Sequence, residues 1–159
     1  WPVVVTLTPG TVTRVSILDI QGLEAEFTFP ADAVTVPVVV VVIPSLWSGA
    51  GGYTFTGHAF DLGIIEDLSI NSEFSFNAPI SLEIEYSDAD IRVVNDESQL
   101  ILWRGTALSF TDAAFSCDPP SAVSRDLVNN VFQINICRLG NYILTGPAHQ
   151  IMLPLIGKQ

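Results

Sequence analysis

The sequence predicts an all-β domain, and three observations carry that prediction. Short runs of β-branched and aromatic residues recur from end to end, Pro, Gly, Asn and Asp interrupt them roughly every 8–12 residues, and no stretch keeps the apolar period of a substantial helix. With 159 residues, 48% of them apolar, the chain has enough apolar material for one well-buried core, so 1–159 reads as a single domain.

The first run, Val3, Val4, Val5, Thr6, Leu7 and Thr8, ends at Pro9-Gly10, a turn signal. Residues 11–20 follow at once with Val12, Arg14 and Ser16 alternating against Thr13, Val15 and Ile17, and the two runs are expected to pair as a hairpin. Over 23–29, Leu23, Ala25, Phe27 and Phe29 share one face and Glu24, Glu26 and Thr28 the other, the mark of a strand with one wet side; Pro30 ends it. Residues 34–43 are apolar on both faces, as in a strand covered on both sides or one whose outer face meets another molecule, although Pro37 cannot donate a ladder hydrogen bond. A glycine-rich loop at 45–53 precedes renewed alternation over 53–60. Residues 81–86 give the clearest strand, with Leu82, Ile84 and Tyr86 inward and Ser81, Glu83 and Glu85 outward. Further strands are expected at 100–104, 131–137 and 142–144. About ten short strands without a substantial helix argue a β-sandwich of the immunoglobulin-like or jelly-roll-like kind. Both ends, 2–8 and 150–156, are apolar and strand-like. Residues 1–9 are a candidate N-terminal donor strand and 148–159 a C-terminal tail strand.

Charge narrows the function classes. Seventeen acidic residues against six basic ones leave a net charge of −11, which disfavours a nucleic-acid partner and an anionic membrane surface. Mean hydropathy is +0.44, yet the longest apolar run, 34–44, falls well short of the roughly 18–20 residues a spanning helix needs, so no membrane span is expected. Lys158 is the only lysine, and the other cations are Arg14, Arg92, Arg104, Arg125 and Arg138. Cys117 and Cys137 are the only cysteines and form the only possible intrachain pair, which favours a disulfide in an oxidising, extracytoplasmic compartment. The opening Trp1-Pro2-Val3 has no leader-like features and reads as a chain whose signal peptide is already removed; the absence of an Asn-x-Ser/Thr sequon favours a bacterial or archaeal source.

From Tyr53 onward the order of motifs resembles a known family. Tyr53-Thr54-Phe55, Gly57-His58-Ala59-Phe60-Asp61-Leu62, the run from Phe76 through Pro79, Leu82, Ile84 and Tyr86 to Asp88, and Leu100-Ile101-Leu102-Trp103-Arg104-Gly105 are similar to a β-sandwich domain of bacterial secreted and cell-surface proteins. That domain is in turn similar to the sandwich of ankyrins, netrin receptors and zonula occludens proteins. The stretch from Cys137 to Leu144 resembles a segment at which some relatives cleave their own backbone, a His preparing a Ser for attack. Arg138 stands at the His position and Gly140 at the Ser position, so the resemblance does not carry autoproteolysis over, and the segment is expected to persist as a core strand. The final Leu153-Pro154-Leu155-Ile156 resembles a short tail that closes many secreted proteins of filamentous bacteria, which would make it a true C-terminus.

Few constellations suggest chemistry. Glu83 and Glu85 share a strand face at about the spacing glycosidases use, but alternation alone explains them. Asp88, Asp90, Asp96 and Glu97 offer hard oxygen donors to Ca²⁺ without matching an EF-hand. His58 and His149 have no Cys or second His at ligand spacing, no Gly-x-Ser-x-Gly elbow is present, and no cofactor is implied. Trp47 and Tyr53 flank the glycine-rich loop and could stack on a glycan.

The apolar excess points to an interface. The sequence therefore predicts an extracellular structural subunit that joins copies of itself into a homo-oligomer, filament or surface layer by strand addition, with Val3, Val5 and Leu7 as donor residues. The alternative is a carbohydrate-binding or adhesion module presenting Trp47 and Tyr53. A secreted hydrolase is a third reading, resting on no motif.

Overall fold

The computed structural model describes residues 1–19, 22–45, 53–66, 69–71, 74–92, 94–105 and 109–147. Two antiparallel sheets face each other. The first contains β1 (Val3–Leu7), β4 (Val38–Pro44), β5 (Tyr53–Glu66), β12 (Gly140–Pro147), β8 (Ile101–Gly105) and β9 (Phe110–Asp112), neighbours in that order, with β6 (Ser69–Asn71) added to β5. The second runs β10 (Val123–Asp126), β11 (Val131–Arg138), β7 (Ser75–Glu85), β3 (Glu24–Phe29) and β2 (Thr13–Leu18). The predicted β-sandwich is therefore present, with one helical turn, α1 (Asp88–Ile91).

Alternation sets the core. Ala25, Phe27 and Phe29 of β3, Ile80, Leu82 and Ile84 of β7, and Phe60, Leu62 and Ile64 of β5 are all buried. Phe27 meets Phe60 edge-to-face across the two sheets, with centroids 5.0 Å apart, and Phe60 stacks on Tyr142 at 5.5 Å. Aromatic pairs of this geometry add roughly 0.5–1.5 kcal/mol beyond the area they bury.

Three expectations change. The first two runs do not form a hairpin: β1 pairs with β4 and β2 with β3, in opposite sheets. Pro9-Gly10 makes a turn closed by Thr11 N–H on the Thr8 carbonyl, with Gly10 at φ +81°, while Gly10 N–H bonds Ala31. A Pro-Gly turn of this hand splays strands instead of continuing their twist, so the chain crosses between sheets. Second, the apolar run at 34–43 is a strand only from Val38. Pro37 lies just outside the ladder, where its missing N–H costs nothing, and Val34 is buried in the approach. Third, the segment around Arg138 and Gly140 is not one core strand. It is the corner where β11 ends and β12 begins in the other sheet, with Leu139 fully buried and its carbonyl accepting from Arg104 Nε at 2.7 Å.

Cys117 and Cys137 form a disulfide, which ties the segment after the 3₁₀ turn Ala113–Ser116 to the end of β11. Among the described residues no helix is long and apolar enough to cross a membrane.

Candidate functional site

Among the described residues five strands have an open edge, and they differ in chemistry: β6, added to β5, is only three residues long. β2 carries exposed Arg14, β9 is three residues long and ends in Asp112, and β10 carries Arg125 and Asp126. Short or charged edges resist pairing with another chain. β1 has five residues, no charge and no proline, and its outer edge has no neighbour among the described residues. Val3, Val5 and Leu7, the expected donor residues, point into the protein's own core; Val4 and Thr6 face outward and Val4 is 57% exposed. What β1 offers a neighbour is main chain flanked by Val4 and Thr6.

The expected calcium ligands are dispersed. Asp90 closes a capping box with Ser87, its Oδ2 accepting from Ser87 N–H at 2.7 Å and Ser87 Oγ–H at 2.6 Å. Asp96 caps the 3₁₀ turn Glu97–Gln99 by accepting from Ser98 N–H, and bonds from the Ser98 and Gln99 side chains hold its carboxyl below the ordinary carboxylate range. Glu97 accepts from the Tyr86 hydroxyl at 2.6 Å; burial first, then this carboxylate, pushes the phenol upward. Asp88 accepts from Asn130 Nδ2 at 2.9 Å. No three such groups converge to hold a metal among the described residues. Asp90 and Asp96 instead secure their own turns.

Glu83 and Glu85 join Glu24 and Glu26 of β3 around a pocket of about 140 Å³ on the solvent face, with Gln133 Nε2 donating to Glu83 at 2.7 Å. Register made this grouping, since Glu26 lies directly opposite Glu83. Trp47, His149 and the tail 148–159 lie outside the described residues, as does the Tyr53 side chain, so the aromatic glycan surface is not placed.

Sequence reading missed a buried ion cluster. Opposite Leu144, β5 bulges: Ile143 pairs with Ala59 but Thr145 with Phe55, Gly57 takes φ +98°, and Thr56 Oγ donates to the Leu144 carbonyl at 2.8 Å. Bulges re-aim side chains. His58, 2% exposed, here meets a carboxylate on each side: Nδ1 contacts Asp19 Oδ2, beyond β2, and Nε2 lies 3.6 Å from Asp90 Oδ2, on α1. Asp19 Oδ1 also accepts from Leu23 N–H at 3.1 Å, closing the β2–β3 connection. The cluster links both sheets to α1. The Ser87 hydroxyl donates to Asp90, so it stands on the carboxylate's side of the network, away from the role of a nucleophile activated by His58. The only signal available in sequence was a His on the inward register of an apolar strand.

Compared with protein-family models and with curated proteins, the chain matches none.

A further acidic group yields a pH prediction. Asp126 accepts from Asn129 Nδ2 and from the Asn129 and Val128 amides, which holds its carboxyl below the ordinary range. A lowered folded-state value stabilises the fold above the unfolded carboxylate range and loses that contribution as pH falls through the lowered value. Asp126→Asn is therefore expected to destabilise the chain at neutral pH and to flatten the decline below about pH 4; urea midpoints measured from pH 2 to 7 check it.

Proposed function

We propose that the protein is an extracellular structural subunit that associates with copies of itself by strand addition at the β1 edge. The observation that carries the reading is the contrast among edges: of the five among the described residues, β1 alone has neither a charge nor a shortened ladder. Main-chain groups on an open edge find their full complement in another strand, and the flanking Val4 and Thr6 would pack against a neighbour's side chains. The disulfide supports an oxidising compartment outside the cytoplasm. Head-to-tail addition extends into a filament or layer, whereas two β1 edges meeting about a two-fold axis stop at a dimer.

Because Leu7 is 2% exposed within its own chain, removing the strand would strip the core. A charge on the outward face tests the reading without doing so. Wild-type protein is expected to form oligomers or filaments in light scattering and negative-stain electron microscopy, and Val4→Lys to be a monomer with an unchanged melting transition. A wild-type chain that stays monodisperse and monomeric as concentration rises overturns the proposal.

A further inference from the structure

A cleft of about 490 Å³ lies on the outer side of the second sheet. Its walls are the first half of β7, the end of β11 and the loop 116–121. Seven polar side chains line it: Ser75, Asn77, Ser116, Asp118, Ser121, Asn135 and Arg138. Ser116 Oγ accepts from Cys137 N–H, and the other six make no side-chain hydrogen bond or ion pair among the described residues. These six keep their donors and acceptors for solvent or a ligand.

We infer that the cleft is a binding site for a neutral oligosaccharide. The argument is one of chemical match. Two carboxamides and three serine hydroxyls each donate and accept, as vicinal sugar hydroxyls do. One carboxylate and one guanidinium leave the wall formally neutral in a chain of net charge −11. A phosphate or acidic sugar would call for more cations, and a cation for a cage of oxygens. A peptide adding as a strand would need an open ladder. β10 pairs with β11 only at 131–134, but beyond that point Cys117 is bonded to Cys137 and its Sγ lies 3.9 Å from the Asn135 carbonyl, so the loop occupies that side of β11. Pro79 and Pro119 add apolar ring faces to the walls.

The walls are also held in place before any ligand arrives. The Cys117–Cys137 bond joins loop to strand, Cys137 N–H donates to Ser116 Oγ at 3.2 Å, and Ser121 N–H donates to the Ala114 carbonyl at 2.9 Å. Preorganisation lowers the ordering cost of binding. This site does not depend on assembly through β1.

The test is a ¹H–¹⁵N NMR titration of the whole chain with cellotriose, maltotriose, mannotriose and chitotriose, each to about 10 mM, the range of weak single-site recognition. At least one trisaccharide is expected to shift amides grouped at 75–79, 116–121 and 135–138, and Asn77→Ala with Asn135→Ala together to weaken it about tenfold or more. Both side chains are exposed and unbonded within the chain, so an unchanged melting transition in the double variant keeps the comparison clean. No shifts with any of the four, shifts confined to 45–53, or shifts only with a short peptide run in parallel overturn the inference.

Discussion

Replacing His58 by alanine is expected to destabilise the protein by about 2–4 kcal/mol, the combined range for a cavity opened in a closed core and buried carboxylate oxygens left without their partner. His58 is 2% exposed and the Asp19 and Asp90 side chains 5% each, so the substitution leaves two carboxylates in a dry environment with nothing between them. The loss is large against a total stability of about 5–15 kcal/mol. Urea unfolding of wild type, His58→Ala and Asp19→Asn, with the double variant to complete the cycle, reads it directly. A coupling near zero between His58 and Asp19 would show that the contact contributes only shape. Replacement of the whole cluster by apolar residues of similar volume is expected to cost far less than His58→Ala, because the penalty lies in the stranded charge.

Loss of the disulfide is the second large effect. Cys117 and Cys137 are separated by 20 residues, and closing a loop of that size restricts the unfolded chain by roughly 3 kcal/mol in the loop-entropy account. Reduction, or Cys117→Ala with Cys137→Ala, is expected to lower the urea midpoint by the equivalent of that energy while leaving the slope nearly unchanged. The same change frees the loop 117–121 from β11, so trisaccharide binding in the adjacent cleft should weaken in parallel. Reduced protein that binds as tightly as oxidised protein would place the recognition surface away from that wall.

Much of the sandwich was legible residue by residue. The period-two pattern at 81–86 put Leu82, Ile84 and Tyr86 inside and Glu83 and Glu85 outside, and all five stand there, because a strand with one wet face has no other way to bury its aliphatic side chains. The cysteine pairing was legible by elimination. Pairing partners were not: Pro9-Gly10 announced a turn, but whether a turn folds a strand back or sends it to the opposite sheet depends on twist and on the distant carbonyl of Ala31. The acidic residues at 88–97 were read as a group because they are close in sequence. In space Asp90 and Asp96 bond their own turns, since side chains two or three residues from an amide reach it readily, while Asp88 and Glu97 bond Asn130 and Tyr86.

The candidate surfaces depend on that second kind of information. Residue order alone determined a lysine-poor, acidic, all-β chain with one disulfide and an uncharged first strand. Tertiary structure decided that this strand turns Val3, Val5 and Leu7 into its own core and leaves an edge open, that a bulge at Gly57 sets His58 between two distant aspartates, and that Asn77, Asn135 and Arg138 gather around a disulfide-braced cleft. Local composition and alternation specify which face of a strand is dry. Which strands become neighbours is set by the packing of two twisted sheets around a shared core, and contacts between residues dozens of positions apart exist only once that packing is complete.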